Sequence, residues 1–453
     1  MPKRSNQQYR HTPIILFTLV LGVLFSGTPR LFAQTQKKNP TPRQIQVGAE
    51  RLDQYLPLLR NKKIGLVSNH TGVIGEHHRP LVDTLLALGI QVKRLFSPEH
   101  GFRGTANAGA QVQSGVDKPT GLPVISLYGN NKKPQPKQIR DLDLLLFDLQ
   151  DVGCRFYTYI STMHYVMEAA AEVGVEVMIL DRPNPNDYVD GPILTSPCRS
   201  FIGMHPIPVL HGLTVGELAL MINGERWLAG GRQCNLSVVP IKGWRHGESY
   251  TPPIPPSPNL KNSDAIRLYP SLCFFEATLL SVGRGTHAPF TMLGYPSETL
   301  GNFSFIPRPM EGATDAKYQG QQCYGTDYTH AFPEGGLVLS PLMQWQQQMT
   351  KIGKKLIDRK RTFDLLAGTS ALREQLEKGM TESEIRQSWQ RGLNAYQTLR
   401  KKYIIYPDYS PRKKTDSLNQ TLWQKEGSSL PASAPVAPKT LPLQCAKPSP
   451  KAM

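Results

Sequence analysis

Between residues 63 and 182 the chain alternates short apolar runs with helix-period stretches, and this alternation limits the available folds more than any other feature. The strand-like runs are Lys63–Ser68, Ile90–Phe96, Pro123–Tyr128, Leu142–Leu149 and Val175–Leu180, with helical patterns at 79–88, 136–141 and 160–173. Leu144-Leu145-Leu146-Phe147 shows no polar alternation, which is what a strand covered on both faces requires. Such strands interleaved with helices predict an α/β domain on a doubly wound, mostly parallel sheet. No Gly-x-Gly-x-x-Gly turn follows the first run, so nothing points to a dinucleotide, and no cofactor is expected.

Ligands of open α/β sheets bind just past the carboxyl ends of the strands. The first run ends in Ser68-Asn69-His70-Thr71-Gly72, and the second in Ser97-Pro98-Glu99-His100-Gly101-Phe102-Arg103-Gly104. The third ends in Tyr128-Gly129, the fourth in Asp148-Leu149-Gln150-Asp151-Val152-Gly153, and the fifth in Asp181-Arg182-Pro183-Asn184-Pro185. Parallel strands put these ends on one rim, so Asn69, His70, Glu99, His100, Arg103, Asp148, Gln150, Asp151, Asp181, Arg182 and Asn184 converge on one crevice. Glu99 is the first candidate acid. Local roles compete with this reading: Asn69 and Asp181 suit turns, and Asp151 suits a helix cap. The stretch Arg155-Phe156-Tyr157-Thr158-Tyr159 offers aromatic faces beside polar groups, as a sugar ring requires. It equally suits a core connection. Arg155 is a candidate to hold a carboxylate in a bidentate fork.

Prolines and glycines become frequent from 183 to about 270. Thr214 followed by Glu217 forms a capping box, which assigns Glu217 to a helix start, with His211 beside the crevice. Tyr250–Pro258 reads as a linker or as an ordered loop bordering the site. Glu276 lies in an apolar segment and needs a partner, for which Arg284 is the candidate. The pair is either a structural ion pair or, with Thr286, part of the pocket. Thr381 and Glu384 form a second capping box, opening a helix whose stripe Ile385, Trp389, Leu393, Tyr396 and Leu399 is core.

The chain has 453 residues and a formal charge of +17, which resembles a nucleic-acid signal until it is divided along the chain. Lys3, Arg4, Arg10, Arg30, Lys37 and Lys38 have no acidic neighbour before residue 40, and residues 411–453 set seven Lys or Arg against Asp416 and Glu426. The mildly basic body suits an anionic ligand or an anionic cell surface, and no nucleic acid is expected. Lys3, Arg4 and Arg10, the apolar run Ile14 to Phe25 and Ala33 predict a secretory signal over 1–33. That run is short of the ~20 residues of a membrane span, so no stable span is expected after cleavage, and the protein is expected to be exported, periplasmic or extracellular. The six cysteines contain no Cys-x-x-Cys pair and are read mostly as buried thiols. Beyond residue 411 periodicity is lost, and a disordered basic tail is expected.

Taken together, Ser97-Pro98-Glu99-His100-Gly101, Asp148 to Tyr159, Asp181-Arg182-Pro183-Asn184-Pro185, His211-Gly212-Leu213-Thr214 and Gly283-Arg284-Gly285-Thr286 resemble the NamZ-type exo-β-N-acetylmuramidases over about residues 45 to 410. The resemblance implies a Rossmann-like domain over 45–190 and a smaller α/β (α+β) domain over 191–410 that completes a cleft. It implies release of N-acetylmuramic acid from the non-reducing ends of peptidoglycan fragments, with Glu99 as catalytic acid. Ala277 and His287 depart from the family pattern on the second-domain side. Glycoside hydrolysis also needs a group at the anomeric carbon, for which Asp148, Asp151, Asp181, Glu276 or the substrate's acetamido oxygen are candidates. Arg103, Arg155 and Arg284 are candidates for the lactyl carboxylate of muramic acid. A non-catalytic muropeptide-binding protein is one alternative. Another is a metal-dependent hydrolase using His70, Glu99, His100 and Asp148. Adjacent Glu99-His100 lacks the i, i+4 histidine spacing of helical zinc sites, so no metal is assigned.

Overall fold

The computed structural model describes residues 45–99, 101–103 and 114–408. The expected signal over 1–33, the tail over 411–453 and His100 lie outside the described residues. A seven-stranded sheet is built from β1 (Lys63–Ser68), β2 (Gln91–Ser97), β3 (Gly115–Asp117), β4 (Leu122–Ser126), β5 (Leu144–Asp148), β6 (Glu176–Leu180) and β7 (Leu236–Val239). Their order is β7-β6-β5-β1-β2-β4-β3, parallel throughout except for the β3–β4 pair. Five of these strands match the apolar runs to within two or three residues at each end. The sheet also recruits β7, which lies well past residue 190, where the first domain is expected to end.

Residues alternate sides along a strand, so a doubly covered sheet must be apolar at every position. Leu144 and Leu146 of β5 pack on the face lined by α1 (Leu52–Leu59) and α2 (Leu81–Ala87), through Tyr55, Leu59, Leu81 and Leu85. Leu145 and Phe147 pack on the opposite face, against α4 (Tyr159–Val173) and α5 (Val215–Gly224), through Met163, Val166, Leu218 and Ile222. The short α3 (Pro136–Ile139) leads into β5. Chain order runs outward from β1 through β2 to β4 and then restarts beside β1 at β5. That reversal opens a crevice between the carboxyl ends of β1 and β5.

The apolar cluster on the α4 side continues without a break to Phe274, Leu293, Trp345 and Phe363. These belong to the second half of the chain. There α6 (Ser263–Leu272) precedes an antiparallel sheet of β8 (Met292–Tyr295), β9 (Phe303–Phe305) and β10 (Cys323–Asp327), in the order β8-β10-β9. Helices α7 (Ser340–Lys351), α8 (Lys360–Ala367), α9 (Ala371–Glu377) and α10 (Glu382–Arg400) follow. Both expected capping boxes form: Thr214 N donates to Glu217 Oε2 at 2.9 Å and Thr381 N to Glu384 Oε2 at 2.8 Å. Ile385, Trp389, Leu393 and Tyr396 of α10 are buried. Tyr396 and Tyr406 tie α10 and the segment after it back to the first half of the chain, the former to His211 O at 2.7 Å and the latter to Asp181 Oδ2, past the end of β6, at 2.6 Å. Cys154, Cys198, Cys234, Cys273 and Cys323 are free, buried thiols, and Cys445 lies outside the described residues.

Candidate active site

Register brings the strand ends level. Ser68 pairs with Asp148, and Ser97 pairs with Ser126, so the residues that follow β1, β2, β4 and β5 share one rim. Asn69 and Thr71 leave β1 and meet the segment after β5 across the crevice. Asn69 Nδ2 donates to the Tyr159 hydroxyl at 2.7 Å, and Gln150 N donates to Thr71 Oγ1 at 3.1 Å. Thr71 N and Oγ1 both donate to Asn69 Oδ1, which fixes the amide. Glu99, after β2, is half-buried and accepts from Thr158 Oγ1 at 2.7 Å, at the residue preceding α4. Tyr128, after β4, lies beside the same carboxylate. Burial raises its phenol pKa first, and the charge and hydrogen bonding of Glu99 add to that.

The proline-rich stretch closes one side of this rim as an ordered loop. Tyr157 and Tyr159 both donate to Pro256 O, at 2.9 and 3.0 Å. His70 Nε2 is 2.8 Å from Pro255 O, and since a carbonyl can only accept, that nitrogen carries a proton. Tyr157 and Tyr159 are buried, with rings edge to face at 4.7 Å. Their hydroxyls position a wall, and their ring faces are not presented to a ligand.

Four expected site residues have structural commitments instead. Asp148 is fully buried and held by Arg182, Nε to Oδ1 at 2.6 Å and Nη2 to Oδ2 at 3.1 Å. Burial pushes the Asp148 carboxyl up, and the guanidinium works against it. Asp181 is equally buried and accepts from Arg182 N, Thr214 Oγ1, Gly216 N and Tyr406. It seats the N-terminus of α5 on the end of β6. Arg155 is also fully buried. It donates to Pro192 O and Ile207 O at 2.8 Å and to Leu366 O at 3.0 Å, and so holds no carboxylate. Leu366 O is among the last carbonyls of α8, which have no partner within their own helix. Gly368 leaves room for the guanidinium, since a Cβ there would lie 2.5 Å from Arg155 Nη2.

Asp151 is different. Burial pushes its carboxyl up to about 7, against the main-chain donation from Gly153 N to Oδ2 at 2.6 Å. Its Oδ1 is buried and makes no hydrogen bond within the protein, as is true of Gln150 Oε1 and His211 Nε2. His211 Nε2 faces Asp151 Oδ2 at 4.0 Å, too far for a hydrogen bond, and burial pushes the imidazole down to about 3, so it is neutral. Burial raises the Tyr159 phenol, and the charges of Glu99 and Asp151 add to that. Gln150 Nε2 spans Asp151 O and Pro183 O, at 2.8 and 2.9 Å. Asn184 Nδ2 donates to Leu213 O at 3.0 Å, and the positive φ of Gly153 (+78°) lets that turn close on the Asn184 side chain.

Arg284 Nε donates to Glu276 Oε1 at 2.6 Å, as expected of a pair, with the guanidinium 5.0 Å from the Phe290 ring centroid. Thr286 Oγ1 donates to Gly283 O at 2.6 Å and shapes its own turn. Arg103 forms a bidentate pair with Asp117, Nε to Oδ1 at 2.8 Å and Nη2 to Oδ2 at 2.7 Å, at the edge of the sheet. All three candidate cations for a ligand carboxylate therefore have partners in the protein. Sequence reasoning assigned no role to Thr158 and noted Tyr128 only as a strand end. Their position past β5 and β4 was the available signal.

Two family models match the chain: exo-β-N-acetylmuramidase NamZ, N-terminal, over residues 64–264, and the C-terminal model of the same name over residues 267–406. The chain is 36% identical over 420 residues to the peptidoglycan β-N-acetylmuramidase NamZ of Bacillus subtilis (strain 168), covering 86% of this chain and 99% of that protein. Two crystal structures of DUF1343 family proteins from Bacteroides fragilis share the fold. One has a TM-score of 0.73 at 42% identity, covering 81% of this chain and 99% of its own. The other has a TM-score of 0.68 at 31% identity, covering 81% of this chain and 100% of its own.

Proposed function

The chain belongs to the exo-β-N-acetylmuramidase NamZ family, and from that premise we propose that it is an exo-acting glycoside hydrolase. Its substrates in this reading are peptidoglycan-derived muropeptides or disaccharides, from whose non-reducing ends it releases N-acetylmuramic acid. Glu99 is the general acid that protonates the leaving glycosidic oxygen. The observation that carries this assignment is its placement: Glu99 sits half-exposed where four strand ends converge, oriented by Thr158 and Tyr128. Asp148 and Asp181 have both oxygens engaged by buried donors. Glu276 is paired with Arg284. Asp151 keeps one oxygen without a partner in the protein, and we assign it to the anomeric carbon, acting on water or on the substrate's acetamido group.

The test is turnover of a chromogenic β-N-acetylmuraminide and its β-N-acetylglucosaminide counterpart by the wild-type chain and by Glu99→Gln. Wild type is expected to prefer the muraminide, and Glu99→Gln to lose a factor of about 10²–10⁴ in kcat. Undiminished turnover by Glu99→Gln would remove the acid assignment. Muraminide binding without any wild-type turnover would favour the non-catalytic reading. We further propose export, since a peptidoglycan substrate lies outside the cytoplasmic membrane and residues 1–33 have a leader's pattern. Among the described residues no helix is long and apolar enough to cross a membrane. N-terminal sequencing of protein recovered outside the cytoplasm checks cleavage.

A further inference from the structure

Beside the Glu99 rim lies a recess of about 380 Å³, walled by α4 through His164, Tyr165 and Glu168 and by the loop carrying Arg199, Phe201 and Met204. It is joined to the acid by a run of aromatic rings. Tyr128, whose phenol abuts Glu99, has its ring 6.2 Å from that of Phe201, and Phe201 stacks on Tyr165 at 6.1 Å with the planes only 10° apart. Both Phe201 and Tyr165 are half-buried, so the stack presents apolar surface to the recess.

The charges around it are unbalanced. Lys132 Nζ lies 4.9 Å from the Phe201 ring centroid, and Arg199 is exposed on the rim. Among the described residues neither cation has a carboxylate partner. The one carboxylate in the wall, Glu168, is already engaged by Lys133 Nζ at 2.8 Å and by Ala229 N at 2.7 Å. The floor imidazole of His164 contributes no positive charge near neutral pH, because burial pushes it down to about 4. Lys132 over the aromatic stack and Arg199 on the rim, neither with a carboxylate partner among the described residues, make a site for an anion carried on an apolar arm.

Resting on the muramidase reading, we propose that this recess binds the carboxylate-bearing arm at C3 of the muramic acid, with Lys132 and Arg199 reading the charge and Phe201 and Tyr165 the arm. The three arginines expected to do so are committed elsewhere, to Asp117, to main-chain carbonyls and to Glu276. The recess is therefore where a muraminide is told from a glucosaminide, which has no arm. The carboxylate can come from the free lactyl group or from a peptide joined to it, and both carry the same chemistry.

Binding tests this independently of turnover. Titration calorimetry on Glu99→Gln, which does not consume its ligand, would compare N-acetylmuramic acid, its lactyl carboxamide and muramoyl dipeptide. The acid or the dipeptide should bind about tenfold more tightly than the carboxamide, the scale of one charge-assisted hydrogen bond at a partly exposed site. Adding Lys132→Met and Arg199→Met should bring that ratio to near one, and adding Phe201→Ala should weaken all three ligands. A preference for the acid places the lactyl carboxylate in the recess, and a preference for the dipeptide alone places the peptide carboxylates there. Equal affinity for all three, or a preference that survives loss of both cations, overturns the proposal. Failure of wild-type turnover would strike the glycosidase reading and leave this measurement standing.

Discussion

His246 is buried between two carboxylates, and its titration should dominate the stability of the fold in mild alkali. Its Nδ1 lies 3.1 Å from both oxygens of Asp187, and its Nε2 lies 2.9 Å from Glu217 Oε1. Burial works against the imidazolium, as does Arg400 Nη2, 3.2 Å from Nδ1. The hydrogen bonds and charges of Asp187 and Glu217 outweigh both and raise the imidazole to about 9. The side chain is only 3% exposed, so solvent screens little of this. Against about 6.5 in the unfolded chain, a folded value of about 9 corresponds to about 3 kcal/mol of stability. Because the folded value is the higher one, this stabilisation is complete below about pH 6.5 and disappears as pH rises through about 9. Asp151 and Asp181, both raised to about 7 by burial, act in the same sense but at lower pH. His164 and His211, pushed down by burial, act in the opposite sense below about 6.5. From pH 7 to 8.5 His246 is the largest single contributor, with the upper ends of the Asp151 and Asp181 titrations and the buried thiols, raised by burial, adding in the same sense. Urea unfolding followed by circular dichroism should lose about 2 kcal/mol across that range, at about 1.4 kcal/mol per pH unit. His246→Gln should flatten the slope. A wild-type stability that is level or rising from pH 7 to 8.5 would refute the reasoning without any variant.

Arg182→Met leaves the Asp148 carboxylate buried without its cation and should cost about 3–5 kcal/mol at neutral pH in the same urea assay. Arg182→Met with Asp148→Leu should lose less than Arg182→Met alone, and a larger loss would contradict the ion-pair reading. Thr158→Val removes the donor to Glu99 Oε2 and should lower kcat by about tenfold, the worth of one hydrogen bond to a charged group. Thr158→Ser should restore it, and melting temperatures should hardly move. Unchanged kcat in Thr158→Val would mean that this hydroxyl does not orient the acid.

Much of the fold was legible along the chain because its signals are local. Leu144 to Phe147 is continuously apolar because neighbouring positions enter different cores, and that pattern shows without any knowledge of the partners. Thr214 and Thr381 cap helices through residues three positions away, so their capping boxes could be read directly. The convergence of Asn69, Glu99 and the Asp148 to Tyr159 segment followed from the rule that parallel strands end on one rim. The partner of each side chain was not legible in this way. Arg155 reads as a carboxylate ligand because a guanidinium offers a bidentate fork, yet its acceptors include Leu366 O, 211 positions away. Asp181 looked like a rim acid, yet its last donor is Tyr406, 225 positions away. Both charges were decided by contacts between segments that only folding brings together, since a buried charge takes whatever partner the surrounding chain supplies. The sequence alone determined the α/β sheet, the rim and the candidate acid, because backbone periodicity and strand polarity are local properties. The tertiary structure alone decided which rim carboxylates are spent on the scaffold and that Lys132, with no carboxylate partner among the described residues, lies over Phe201, because pairing and burial depend on distance in space.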